Sequence, residues 1–289
     1  MYTDDFGQKW YKVGLHIHTT LSDGALSPEA AARVYKEAGF DAIALTDHWK
    51  YHGPDEIAGL KIISGCEYNL GTTDSVAGVM HIVGVGMKQD PCILPTATRQ
   101  EIIDGINGAG GLAILAHPAW SLNTTQDAQA LTGFGATEIY NTVSDVNQSS
   151  RPYSGYFVDL LANHGIAYPL LATDDVHYYD GNDEAKSYIM VAASSLDADA
   201  ILQAVREGAF YATQGPELYV SREEDRIIVR CSSCTKIMFL SNAVWAPDKI
   251  LRGEDLTYGE YPLKDFEQWV RVEVVDREGR YGWSNVLWR

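Results

Sequence analysis

From Val13 to Gly208 the chain alternates short apolar runs with segments of helical period, and no other feature constrains its fold as much. Val13–Ile17, Ala42–Leu45, Lys61–Ser64, Ile82–Val85, Leu112–Leu115, Glu138–Tyr140, Pro169–Ala172 and Tyr188–Ala192 read as strands. Between the first two, Ser27-Pro28 reads as an N-cap and first helical residue, Ala31, Val34, Tyr35 and Ala38 follow at helical spacing, and Gly39 stops the run. Arg99–Asn107, Gly155–Asn163 and Asp199–Glu207 read as further helices. Repeated β-then-α units of this length imply parallel strands wrapped by helices, as a barrel or an open sheet. After Gly215-Pro216 the pattern changes. Leu218–Val220, Arg226–Cys231, Lys236–Leu240 and Val270–Val275 read as short strands with no helix between them. We therefore expect an α/β domain over residues 1–215 and a small β-sandwich-like module over 216–289.

A chain of 289 residues suffices for such a pair. No stretch approaches the ~20 apolar residues of a membrane span. The opening Met1-Tyr2-Thr3-Asp4-Asp5 lacks the basic flank and apolar core of a signal peptide, so no membrane contact and a cytoplasmic location are expected. The net charge of −17 repels polyanions at long range, so duplex nucleic acid is not expected as a partner. A small anionic substrate stays open, because bound metals reverse the potential locally. Cys231 and Cys234 form a C-x-x-C with no second Cys or His pair at zinc spacing, which points to buried thiols.

The histidines are few and unusually placed. His16, His18, His48, His117 and His177 fall at or just past the C-terminal ends of expected strands, where barrels and doubly wound sheets build their sites. Asp23, Asp47, Glu67, Asp174 and Asp175 stand at equivalent places. One strand-end His is more often a hydrogen-bonded structural residue. Five from different strands, with carboxylates beside them, are hard to explain by packing, because buried unpaired charge is costly and a metal removes that cost. Imidazole with carboxylate suits Zn, Mn or Fe. His16 and His18, two apart on a strand, face one side and reach one ion together.

The run Gly14–Gly24, with His16, His18 and Asp23, resembles the opening motif of the PHP (polymerase and histidinol phosphatase) family. Thr46-Asp47-His48, Gly65-Cys66-Glu67, His81, His117-Pro118 and Asp174-Asp175-Val176-His177 are similar to its later motifs, in family order from about residue 13 to 215. Glu138-Ile139-Tyr140-Asn141, Gly208–Pro216 and Ser284-Asn285 resemble the CehA/McbA-like branch. The resemblance implies a distorted (β/α)7 barrel with a metal cluster at its C-terminal mouth. It implies two or three divalent ions: one on His16, His18, Glu67 and Asp175, a second on Glu67, His81 and His117, a third on Asp23, His48 and His177. Asp23 stands where some relatives carry His, and Asp174 where many carry Ser.

A cationic pocket in an acidic protein favours a small phosphate mono- or diester, nucleotide-derived esters included, opened by a metal-bridging hydroxide. His177, His48 and Asp47 are the candidates for protonating the leaving group. The alternative is hydrolysis of a carbamate, ester or amide, for which the scarcity of basic residues near the motifs speaks; Lys50 is the one close by. A non-catalytic scaffold is disfavoured because no ligand position is lost. His164, before Gly165, reads as a helix C-cap and His52 as an exposed loop residue. Asp47 equally suits orienting a ligand His. Arg151, Tyr178 and Tyr179 are open between the mouth and the surface, and Asn141 between the pocket and a turn cap.

Overall fold

The computed structural model describes residues 1–3, 7–72 and 78–289; Asp4 and Asp5 of the N-terminal segment lie outside them. Helix ends form where the local chemistry asks for them. Ser27 accepts a hydrogen bond from the Ala30 N–H to open α1 (Pro28–Glu37), and Thr98 and Glu101 close a reciprocal capping box on α2 (Arg99–Gly108). Before and around these helices run β1 (Tyr2–Thr3), β2 (Lys9–Gly14), β3 (Ala42–Ala44), β4 (Asp55–Ile57), β5 (Leu60–Ile63), β6 (Gly65–Leu70) and β7 (Met80–Val85). There follow β8 (Leu112–Leu115), α3 (Thr125–Gln129), β9 (Phe134–Asn141), a π-helical turn at Ser144–Gln148 and α4 (Gly155–Asn163). Next come β10 (Leu170–Thr173), β11 (Tyr188–Ala192), α5 (Ala198–Arg206) and β12 (Phe210–Thr213). The tail holds β13 (Leu218–Glu223), β14 (Arg226–Ser241), β15 (Ile250–Pro262), β16 (Trp269–Val275), β17 (Tyr281–Trp283) and β18 (Leu287–Trp288).

The protein is a mixed α/β structure built on two sheets. One has the order β10-β9-β8-β7-β6, the other β13-β14-β16-β17-β12-β11-β2-β3-β5-β4. Only part of the expected parallel pairing occurs. β2, β3 and β5 are parallel neighbours, as are β8, β9 and β10, whereas β6–β7, β7–β8, β11–β2 and β11–β12 are antiparallel. For β6 and β7 the reason is connection length. β6 and β7 are separated by Gly71–Val79 alone, short of the dozen or so residues a parallel crossover needs. Neither sheet closes on itself among the described residues. At the C-terminal ends of β2 and β3 the two sheets meet through the isolated parallel bridges Ile17–Val176 and His48–Glu67.

The tail strands continue the larger sheet, because β12 pairs with β17 and β17 with β16. Two expected tail strands merge into β14, which bulges around Cys234, and its partner β15 was hidden in the sequence by glycine and charge. Cys231 and Cys234 are buried free thiols. Apolar residues of β6–β10 and their helices form the largest core, and Ile227, Val229, Phe239, Val272 and Val274 fill a second under the tail. No helix among the described residues is long and apolar enough to cross a membrane.

Candidate metal centre

The segments just past β2 and β10 build the centre together. His18 N–H donates to the Val176 carbonyl and Asp175 N–H to the His16 carbonyl, so His16, His18, Asp175 and His177 come to one place. The His48–Glu67 bridge adds the segment after β3 and the strand β6, β7 contributes His81, and the turn after β8 contributes His117. The loop between His18 and Gly24 folds back under Asp47. Both Asp47 oxygens are taken, by the N–H and hydroxyl groups of Thr19 and Ser22 and by His52 Nε2 at 2.7 Å. Burial opposes charge on Asp47, but these donors outweigh it and hold its pKa at about 2.

Three groups of ligand-type atoms result: His16, His18, Glu67 and Asp175; Glu67, His81 and His117; and His18, Asp23, His48 and His177. His16 Nε2 lies 3.2 Å from Glu67 Oε2 and 3.1 Å from Asp175 Oδ1, and His18 Nε2 lies 3.0 and 3.1 Å from the same two oxygens. His81 Nδ1 and His117 Nε2 stand 2.9 and 3.5 Å from Glu67 Oε1. His48 Nε2 and His177 Nε2 both stand 3.5 Å from Asp23 Oδ2. Two atoms each ~2.1 Å from one ion at tetrahedral angles are about 3.4 Å apart, so these separations are compatible with ligand–ligand edges. A neutral imidazole has one lone pair. His18 Nε2 uses it toward the first group, which leaves Asp23, His48 and His177 for the third.

The fit to divalent ions has a direct structural sign. His16 Nε2, His18 Nε2, His48 Nδ1, Glu67 Oε2 and Asp175 Oδ1 are buried and have no hydrogen-bond partner. Orphaned buried polar atoms are costly, and here they converge. Burial disfavours charge on His16 and His18, yet the facing carboxylates outweigh it and hold both imidazoles well above their ordinary range. Glu67, Asp175 and Asp23 are likewise pushed up by burial and pulled further down by the imidazoles. For His48 burial wins and its pKa is lowered. The carboxylates thus demand positive charge from whatever faces them.

Surrounding groups aim the cluster. Glu138 accepts from His16 Nδ1 at 2.7 Å and, on its other oxygen, from the His117 N–H at 2.8 Å and Asn141 Nδ2 at 2.9 Å. Asn141 Nδ2 also donates to Asp175 Oδ2 at 3.1 Å, while its carbonyl accepts from Ser144, so Asn141 both faces the centre and caps a turn. His117 and Asp175 have φ of 26° and 53°, a strain of about 1–3 kcal/mol each that such contacts hold in place. Asp183 accepts from the N–H groups of His177, Tyr178 and Tyr179 and fixes that loop.

All nine sequence-derived ligand positions (His16, His18, Asp23, His48, Glu67, His81, His117, Asp175 and His177) lie in the three groups. Asp47 does not line the cavity. Asp174 turns away to Tyr35 and the Lys186 and Ser187 N–H groups, where burial raises its pKa to about 6. His52, expected as an exposed loop residue, is instead paired with Asp47, and His164 caps the C-terminus of α4 as its position before Gly165 suggested. Tyr179 donates to the His18 carbonyl, and Lys50 and Arg151 are exposed away from the cavity. The cavity, of about 150 Å³, is lined also by Trp120 and Gln148, which sequence reasoning missed. Trp120 follows His117-Pro118 closely enough to have been flagged; Gln148 sits on a π-turn that no local signal announces.

Buried imidazoles and carboxylates at ligand spacing, on the bridged ends of two sheets, make a candidate centre for divalent metal. The chain belongs to the PHP domain family, whose model matches residues 14–94 and so spans His16, His18, Asp23, His48, Glu67 and His81. An uncharacterised protein of Methanocaldococcus jannaschii is 30% identical over 118 residues, 37% of this chain and 67% of that one. The PolC-type DNA polymerase III of Oceanobacillus iheyensis is 40% identical over 75 residues, 23% of this chain but 5% of the polymerase. A two-domain Bacteroides vulgatus protein containing a predicted PHP-like metal-dependent phosphoesterase is similar in fold, with a TM-score of 0.56, 15% identity, and coverage of 99% of this chain and 98% of that one. Endonuclease Q in complex with a 27-mer duplex substrate carrying an abasic lesion is matched at TM-score 0.48 and 16% identity, over 69% of this chain and 57% of that one. The exclusion of duplex nucleic acid, made from net charge, is withdrawn. Net charge acts over distances that salt screens beyond about 8 Å, and it does not set the potential at a metal site.

Proposed function

We propose that this PHP-family protein is a metal-dependent hydrolase of phosphoric esters, acting on a small phosphate mono- or diester. The observation that carries the reading is the convergence of buried, unpartnered ligand-type atoms from His16, His18, Glu67 and Asp175. Mn, Fe and Zn suit the mixed imidazole and carboxylate donors. His16, His18, Glu67 and Asp175 would hold one ion, and Glu67, through its other oxygen, would share a second with His81 and His117. Asp23, His48 and His177 would hold a third; the Asp23 side chain is 51% exposed, so this group is the least confined. Divalent ions there would polarise the ester and bring the pKa of a water to about 7.

The remaining work belongs to the chain. Trp120 and Gln148 form a rim against which the substrate is oriented. His177 donates Nδ1–H to the Asp175 carbonyl, which leaves Nε2 facing the cavity. When the third group carries no ion, this atom is placed to protonate the leaving oxygen, and His48 Nε2 is its rival. Asp47 has no free oxygen for that task and instead holds the Thr19–Ser22 loop. Counting the two isolated bridges as pairings, β2, β3 and β6–β10 form a ring, which supports the distorted (β/α)7 barrel reading. The separate apolar cluster under β13–β16 supports a module boundary near residue 215. Glu138 through Asn141 and the β tail favour the CehA/McbA-like branch.

A carbonyl substrate is the second reading, favoured because no Lys or Arg lines the cavity among the described residues. Metal content by elemental analysis, with turnover of p-nitrophenyl phosphate, its diester and an aryl carbamate on the same sample, tests both. Metal-dependent release from the phosphates is expected. Carbamate turnover alone would move the assignment to carbonyl hydrolysis, and a chain that holds no metal would overturn both. Asp175→Asn should abolish turnover while the folded signal in circular dichroism persists.

A further inference from the structure

Glu138 is a buried carboxylate outside all three ligand groups, and it touches the cluster at three points. Its Oε1 takes the His16 Nδ1–H, so the His16 lone pair at Nε2 is turned toward Glu67 Oε2 and Asp175 Oδ1. Its Oε2 takes the backbone N–H of His117, a residue held at φ 26°. The same oxygen takes Asn141 Nδ2, which reaches on to Asp175 Oδ2 and leaves Asp175 Oδ1 free of partners. One strand, β9, thus fixes the orientation of three ligands that belong to the two Glu67-sharing groups.

Among the described residues the third group has no buried carboxylate outside the groups that takes a ligand's ring N–H; Asp183 holds only the backbone N–H of His177. Asp23 bonds the Ser22 hydroxyl at the exposed surface, and His177 Nδ1 is held by a backbone carbonyl. We propose that Glu138, with Asn141, is the positioning residue of the centre: it pre-organises the two groups that share Glu67, which fill first and tightly, while the Asp23, His48 and His177 group fills last and weakly. This rests on the metal-centre reading above. A purely space-filling role for Glu138 makes a different demand. Glutamine fills the same space, but its amide offers one acceptor where the site needs two. Placed with nitrogen toward His16 it forces the opposite tautomer. Placed the other way it sets a donor against the His117 N–H.

The test is stepwise Zn²⁺ or Mn²⁺ titration of the full chain against a chromophoric chelator, comparing wild type with Glu138→Gln and Asn141→Ala. In both variants the tight steps should weaken about 10- to 100-fold, as loss of an orienting partner does, with the weak step unmoved. Thermal melting of the metal-free proteins reports whether each variant folds. The kcat of Glu138→Gln should recover at saturating metal. Unchanged tight steps in a folded Glu138→Gln, or equal loss in every step, would overturn the proposal while leaving the metal centre standing. If Glu138→Gln does not fold, Asn141→Ala decides by the same criterion. A wild type that binds no metal would sink the underlying reading instead.

Discussion

Gly24 shows how narrowly single positions are set. A Cβ there would lie 2.5 Å from the backbone carbon and oxygen of His18 and 2.6 Å from the Thr19 nitrogen, all of them backbone atoms that cannot swing aside. Gly24→Ala should therefore displace Asp23 and remove the third group's ion, while the Glu67-sharing groups keep theirs. Elemental analysis reads this as about one ion fewer per chain at most; a full complement in the variant would argue against Asp23 as a ligand. At this scale the sequence was largely legible for the ligand-type residues, since His16 and His18 stand two apart just past β2 and the motif order did the rest. Glu138 and Trp120 were less so, because an orienting carboxylate and a rim aromatic look like any strand-end or turn residue until their partners are known.

Elements were legible where local chemistry decides them. Ser27 and Thr98 cap α1 and α2 by accepting from N–H groups three residues on. Ser27→Ala and Thr98→Ala should each cost about 1 kcal/mol in urea unfolding, and the pair should be additive because the two cap bonds share no partner. The β-rich tail offers a pH test. Glu267 accepts from the Ser241 and Tyr261 hydroxyls and the Lys264 N–H, and pairs with Lys249 at 3.1 Å. Burial pushes its pKa up, but these partners outweigh it and hold it below the usual carboxylate range. A depressed folded-state value means that the stabilisation is complete above the unfolded value of 4.5 and is lost as pH falls through the lower, folded one. The melting-temperature gap between wild type and Glu267→Gln should thus shrink from about pH 6 to about pH 3; a constant gap would count against the assignment. β15 and the π-turn at Ser144–Gln148 were not legible, since neither has a periodic apolar face.

Across the whole molecule, the tail is fastened to the rest by polar clamps as well as by the shared sheet. Arg271 of β16, fully buried, bonds both oxygens of Asp159 on α4 and also Glu273 and Tyr153. Asn285 accepts from the Leu170 N–H and donates to the Gly208 and Phe210 carbonyls. Arg271→Met would leave Asp159 and Glu273 without their counter-ion, at a cost of about 3–5 kcal/mol. A drop of that size in unfolding free energy is the expected result. A near-neutral change would mean that solvent reaches the pair and that the tail is held by its sheet alone.

What the sequence by itself determined was everything governed by neighbours along the chain: the caps, the short apolar strands, the change of pattern after Gly215, and the ligand-bearing motifs. Only the tertiary structure decided how the strands pair, because a strand's apolar pattern is the same whichever partner and direction it takes. It alone split the expected parallel array into two mixed sheets, ran the tail into the larger one, and set Glu138 beside His16 and His117. The His16–Glu138 contact at the centre joins residues 122 positions apart, and no local period encodes it.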